Sequence, residues 1–518
     1  MPIGELGTLP EWLATHVAER PDAVAVSGDG ADVTYAELAG DVGRLATGLA
    51  ARGIGKGDVV AAQLPNNRAF LTVFLAAAAC GAVFQPLHMP YRSKELRYLL
   101  GHAGAKIVFA LSNAGASSPV AELLELKPAL PALREVVAIG APAAGAVSYD
   151  DLVSTADDAT LPAVTPDDRY LMLYTSGTTA DPKGVPHTSR AFLGNAFRSA
   201  TELAVTPSSR VLSIAALSHL YGLFTVHLAL AAGATVTLMP AFRPQDLAAD
   251  IVRLSPTHIF AAPAHFSPLV RQSALTQDQL RTVEVLCLSG TTVPPPLAAA
   301  VDDLLIHGSV IQLWGMSELQ AGAFGRPSDP LESRLTTAGR ASPMTRLRVV
   351  SDTGAPVPEG VEGQLQVQGP SVFDGYLDNE TETKSAFTDD GWFRTGDLAT
   401  IDGDGFLTLT GRTKELINRG GVKYNPVEIE LIVMGHPAVQ NCAVVPFPDA
   451  VLGERACLCI EARDAHDITL DAICALLDQH GVAKFKWPER LEIFDQLPMT
   501  PTRKVMRGAL VQMLPAAG

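Results

Sequence analysis

YLMLYTSGTTADPKGVPHTSRAF, residues 170–192, runs from an apolar strand pattern into a loop of small hydroxyl residues and glycine, then out through a lysine. Thr175, Ser176, Gly177, Thr178 and Thr179 follow the apolar run, and Lys183 and Gly184 close the loop. Glycine lets backbone amides approach phosphate oxygens, hydroxyls add donors, and a lysine supplies the compensating charge. The stretch therefore predicts a strand feeding a polyphosphate loop. Its order differs from GxxxxGK[ST], which disfavours the P-loop kinase and GTPase fold.

Outward from this stretch, short β-branched runs alternate with longer helical patterns: AVAV near 23, VVAAQL near 59, KIVFA near 106, RVLSIA at 210, ATVTLM at 234, THIFAA at 257 and VEVLCLS at 283. Such alternation predicts βαβ units and largely parallel sheets. Beyond about residue 340, close-set strands with turns such as VSDTGAPVPEGVEG and IDGDGFLTLTG predict an antiparallel β subdomain. CAVVPFPD, ACLCIEA and LDAICALLDQHG then mix strands with a helix, the pattern of a small separate α+β domain. The expected fold class is α/β plus α+β. A large domain covers 1–411, with its β subdomain at about 335–411, and a small mobile domain covers 412–518.

Composition bounds the function. A chain of 518 residues, 47% hydrophobic and 18% charged, is long enough for a large buried core and has the make-up of a folded enzyme. A net charge of -16 argues against non-specific nucleic-acid binding, which needs lysines and arginines to neutralise phosphates. The six cysteines show no zinc-like pairing and read as reduced and buried. The start MPIGELGTLPEWLATHVAERPD lacks a basic segment followed by an apolar one, so a secretory signal is not expected and a cytoplasmic location is. The run from Ala69 to Phe84 is shorter than the ~20 residues of a membrane span and reads as a buried helix entering a strand, so no membrane association is expected.

The loop at 170–192 resembles the phosphate loop of the adenylate-forming superfamily, which includes acyl- and aryl-CoA synthetases, peptide-synthetase adenylation domains and luciferases. Further segments follow in the family's order: TYAEL (34–38), LWGMSEL (313–319), GWFRTGDLA (391–399), GRTKELINRGGVKYNPVEIE (411–430) and LPMTPTRKVMRGAL (497–510). Two departures stand out. Ala180 and Arg503 occupy positions where the family carries glycine.

The resemblance implies ATP-dependent activation of a carboxylic acid as an acyl adenylate, with loss of pyrophosphate, then transfer to the thiol of coenzyme A. The implied cofactors are ATP, Mg²⁺ and coenzyme A, or the phosphopantetheine of a carrier protein acting in trans. Thr175, Ser176, Gly177, Thr178, Thr179 and Lys183 are then the phosphate cradle. Glu318 is the magnesium carboxylate, with Thr178 as a second metal contact. Ser289, Gly290 and Thr291 contact adenine; Trp314, Gly315, Met316 and Ser317 flank the nucleotide. Asp397 and Arg412 hold the ribose, Asp397 having a turn-capping role as its alternative. Lys504 bridges carboxylate and α-phosphate, the alternative being a solvated basic tail of Arg503, Lys504 and Arg507. Lys414 is the hinge. Gly420 and Gly421 line the pantetheine tunnel or merely form a turn.

For the acid, His219 matches the family's gate beside the carboxylate, with a core histidine as its alternative. Leu220 stands where relatives acting on hydroxylated benzoates carry Asn. With Gly315 it makes the expected acid pocket apolar. No Arg or Lys occurs in 215–224, 260–266 or 315–317 to pair a second carboxylate. INRGGVKYNP and LGER (452–455) resemble the branch of the family that contains aryl, alicyclic and short-to-medium-chain acid:CoA ligases, which implies an aromatic, alicyclic or short-to-medium-chain acid. A monomer or homodimer is expected.

Overall fold

The computed structural model describes residues 7–154, 160–175, 182–449, 451–463, 468–500 and 504–514. The chain forms two compact units. The first comprises Met1–Arg346 with Gln368–Gly391, the second Leu347–Val367 with Trp392–Gly518.

Among the described residues, the first unit is built on two sheets. One is ordered Val147–Ser148, Glu135–Ile139, Ala105–Leu111, Val59–Gln63, Val83–Pro86, Arg169–Thr175, Lys183–Thr188. It is parallel throughout except for the closing hairpin, where Thr175 lies opposite Lys183. The other has nine strands. Its interior runs parallel from Ser309–Met316 through Val285–Leu288, His258–Ala261, Arg210–Ser213 and Thr235–Thr237 to Val24–Ser27, and its edges are antiparallel. Each of the eight apolar runs read from the sequence is a strand here, because parallel strands covered by helices on both faces must be apolar along their whole length. The run expected to be a buried helix entering a strand is helix Arg68–Ala79, capped by Asn67, followed after Gly81 by Val83–Pro86. Gly81 has φ +74°, a turn conformation that a glycine adopts without strain.

The second unit opens with a four-stranded sheet, Arg346–Val350, Gly363–Gln368, Phe393–Ile401 and Leu407–Arg412. It continues in a five-stranded sheet in which Gly453–Ala462 pairs antiparallel with Val439–Asp449 and parallel with Arg490–Phe494. Alternation decides the two faces of Gly453–Ala462. Ala456, Leu458 and Ile460 pack with Ile429, Val433, Ile473 and Leu477, whereas Cys457 and Cys459 face Leu497 and Leu510. Five of the six cysteines are buried, Cys474 is partly so, and all are free thiols. The compact units place the four-stranded sheet with the C-terminal part of the chain, so they are cut differently from the 411/412 division expected from the motifs. No helix among the described residues is long and apolar enough to cross a membrane.

Candidate active site

In open α/β sheets, ligands bind beyond the carboxyl ends of the parallel strands. The sequence-predicted residues of the first unit gather there. Ser289 and Gly290 follow Val285–Leu288; Trp314 to Glu318 end Ser309–Met316 and its turn; His219 follows Arg210–Ser213. Ser289 is buried and its N–H donates to Ala261 O at 3.0 Å, Gly290 takes φ +93°, and Thr291 is exposed.

The segment Trp314–Glu318 is shaped by close backbone approach. Strands Ser309–Met316 and Gln320–Phe324 form a tight hairpin with a bulge between Trp314 and Gly315. A Cβ on Gly315 would stand 2.0 Å from Gln320 O, and one on Gly322 would stand 2.4 Å from the Trp314 ring. Both glycines let the hairpin close and seat the indole. Gly315→Ala should force the strands apart and cost roughly 1–3 kcal/mol of stability, as overpacking does. A fall in thermal midpoint together with weaker nucleotide binding would show it; an unchanged midpoint would not fit this packing.

At the end of this hairpin Glu318 is 5% exposed. The Tyr376 hydroxyl donates to Glu318 Oε1 at 3.0 Å, and Phe373 N–H donates to Glu318 O at 2.8 Å. Burial, and then the Glu318 charge, raise the Tyr376 phenol far above its usual range. The phenol therefore stays protonated and remains a donor to the glutamate. On the other side of Tyr376, the Lys183 ammonium lies 4.7 Å from the ring centroid and pairs with Glu382. Gly184 O accepts from Leu377 N–H at 2.9 Å, which ties the phosphate hairpin to the same segment. Lys183 and Glu318, 135 residues apart in the chain (318 − 183), thus meet through one tyrosine.

Ser176, Gly177, Thr178, Thr179 and Ala180 lie outside the described residues, as does Arg503. Thr175 and Lys183, the two residues flanking the loop, are opposite partners in the hairpin. For a divalent cation, the buried Glu318 carboxylate is a suitable hard oxygen ligand. Among the described residues no three His, Cys, Asp or Glu side chains cluster to hold an ion unaided. That donor set fits Mg²⁺ shared with substrate phosphates, the usual binding mode for this ion.

Next to this cluster, His219 caps helix Leu220–Ala232. Tyr221 N–H donates to its Nδ1 at 3.2 Å, which leaves the ring proton on Nε2. His219, Leu220, Ser317, Leu173 and Tyr174 line a pocket with His88, Tyr91 and Ser218. The His88 ring stacks against His219 with centroids 6.3 Å apart, and His88 Nδ1 is 2.7 Å from Ser218 Oγ. Burial lowers the pKa of His88 to about 4, so its ring is neutral at physiological pH. His219 is therefore a pocket residue and not a core histidine. His88, Tyr91, Tyr376 and Glu382 were not identified from the sequence; they lie outside the motifs, and no spacing marks them.

In the second unit, Asp397 sits inside strand Phe393–Ile401 opposite Arg412, and Arg412 Nε donates to Asp397 Oδ1 at 2.8 Å. Asp397 thus lies within a strand, with Arg412 as a partner of its carboxylate. Lys504 lies close enough for its charge to interact with Arg412, Asp397 and Glu415. Although the residue as a whole is exposed, desolvation of its ammonium lowers its pKa from the usual lysine range, with Arg412 acting in the same direction and Asp397 and Glu415 opposing it. Arg507 is no solvated tail: it pairs with Glu430 and Glu415 and donates to Val444 O at 2.9 Å. Lys414 lies in the short turn Thr413–Glu415. Gly420 and Gly421, at φ +61° and +90°, are the two central residues between Ile417–Arg419 and Val422–Tyr424. A two-residue hairpin with both φ positive favours glycine at these positions.

Two family models match the chain: AMP-binding enzyme over residues 13–377, and AMP-binding enzyme C-terminal domain over residues 428–504. A sulfoacetate–CoA ligase of Cupriavidus necator is 34% identical, with 96% of each chain covered. An indoleacetate–CoA ligase of Aromatoleum aromaticum is 31% identical, with 98% of each chain covered. Among solved structures, ATP-bound MatB from Rhodopseudomonas palustris superposes with a TM-score of 0.87 at 28% identity, over 98% of this chain and 99% of that one.

Proposed function

Because the chain belongs to the AMP-binding enzyme family, we propose the following division of labour among its residues and the class of acid it activates. The chain is an ATP-dependent, AMP-forming acid:CoA ligase that works through an acyl adenylate. In the first half-reaction a carboxylate oxygen attacks the α-phosphorus of ATP and pyrophosphate leaves. In the second, a thiol sulfur attacks the acyl carbon and AMP leaves. Both steps bring anions together, so positioning and charge compensation are the protein's main contributions.

Lys183 faces the leaving phosphates, with Thr175 at the base of the loop. Glu318 would hold Mg²⁺, which would offset phosphate charge. Tyr376 fixes Glu318 through its hydroxyl. Ser289, Gly290, Thr291 and Trp314 take the adenine; Asp397, oriented by Arg412, accepts from the ribose hydroxyls. Lys504 supplies a positive charge between the attacking carboxylate and the α-phosphate, and Lys414 is the pivot. The observation that carries this reading is the link Lys183–Tyr376–Glu318, which joins a phosphate-seeking cation to a buried carboxylate beyond the strand ends.

The acid is an apolar aromatic, alicyclic or short-to-medium-chain monocarboxylate, and coenzyme A is the acceptor. Support comes from the pocket at His219: none of its lining residues is Arg or Lys. A second anion there would be buried without a counter-charge. Thioester formation over benzoates, cyclohexanecarboxylate, indoleacetate, linear acids, malonate and sulfoacetate tests this. The highest kcat/KM should fall on an apolar monoacid; preference for either dianion overturns the assignment. Adenylate formation that coenzyme A does not discharge would move the acceptor to a carrier protein.

A further inference from the structure

Lys183 does not wait for phosphate unpaired. Its ammonium is paired with the Glu382 carboxylate, on the first turn of helix Glu380–Ala386. The two partners differ in how firmly they are held. The Lys183 side chain is 21% exposed and lies over the Tyr376 ring, which is anchored by its hydroxyl on Glu318. That cation–π contact is made with Tyr376 and does not run through Glu382. The Glu382 side chain is 46% exposed, so its ion pair with Lys183 is the more open to water of the lysine's two contacts.

A carboxylate and a phosphate compete for one cation. We infer that Glu382 is a counter-ion that the terminal phosphates of ATP displace from Lys183, and that it thereby sets the enzyme's affinity for ATP and for pyrophosphate. This rests on the reading of Lys183 as a phosphate ligand. Before nucleotide binds, Glu382 neutralises the lysine. When ATP enters, the carboxylate leaves and the lysine stays. After adenylation Glu382 competes with pyrophosphate for the same ammonium and so favours its release.

The test is binding of ATP, pyrophosphate and AMP to the full chain by calorimetry, in Glu382→Gln, Glu380→Gln and Lys183→Ala. Glu380 lies two residues away on the same helix, pairs with Lys384 at 2.7 Å and serves as the charge-matched control. Glu382→Gln should tighten ATP and pyrophosphate about threefold, the range for a partly exposed ion pair. AMP, which lacks the competing phosphates, should bind all variants as it does the parent and so confirm that they fold. Glu380→Gln should change none of the three affinities. Lys183→Ala should weaken ATP and pyrophosphate. If it does so and Glu382→Gln leaves ATP binding unchanged or weaker, the counter-ion role is overturned. If Lys183→Ala leaves ATP binding intact, the phosphate-ligand reading falls first.

Discussion

Lys504→Ala should slow acid-dependent pyrophosphate release by about 100- to 1,000-fold, the usual loss when one preorganised charge or donor is taken from a developing anion. The effect should fall on one half-reaction. Supplied with a pre-formed acyl adenylate, the variant should still make thioester at close to the parental rate, because the carboxylate–phosphate repulsion has already been overcome. The pH profile gives a second readout. Desolvation and Arg412 lower the pKa of Lys504, so its ammonium is lost at lower pH than that of an ordinary lysine. Adenylation should therefore decline as pH rises through that value, and the residual activity of the alanine variant should lack this decline. Parental rates of pyrophosphate release in Lys504→Ala would remove the proposed mechanism.

The largest effect on stability should come from acid. Five histidines of the first unit, His16, His88, His187, His227 and His258, have pKa values lowered foremost by burial, to about 4 for His88 and about 3 for His187 and His227. The neutral rings are built into the fold. Gln320 Nε2 lies 3.1 Å from His227 Nδ1, His187 stacks on Phe192 with centroids 3.7 Å apart, and His258 Nε2 is 3.0 Å from Leu203 O. Their folded values lie below the unfolded value of 6.5. The unfolded chain therefore takes up protons first, and stability is full above that pH and lost as pH falls below it. Each group removes up to about 1.4 kcal/mol per pH unit. Thermal midpoints should fall steeply between about pH 6.5 and 5, before most carboxylates titrate. A flat midpoint across that interval would contradict the burial of these rings as neutral groups.

How much of this was legible in the sequence differs between fold and site. The strands could be read because a parallel strand covered on both faces is apolar along its length, as VEVLCLS and THIFAA are. The change of rhythm after residue 340 could be read because antiparallel strands are joined by short glycine turns. The motif residues could be assigned to strand ends, but their partners could not. Glu382 is 199 positions from Lys183, Tyr376 is 58 from Glu318, and Ser218 is 130 from His88. These pairs are made by chain crossing in the folded unit, and no local pattern encodes them. Gly420 and Gly421 show the opposite case: a two-residue turn with both φ positive is a local pattern that adjacent glycines announce.

The most direct test of the central claim is the stoichiometry of a single turnover with Mg²⁺-ATP, an apolar monoacid and coenzyme A. An AMP-forming ligase yields one AMP and one pyrophosphate for each thioester, and without coenzyme A it exchanges labelled pyrophosphate into ATP only when the acid is present. Thioester accompanied by ADP and orthophosphate, with no acid-dependent exchange, would contradict the acyl-adenylate route.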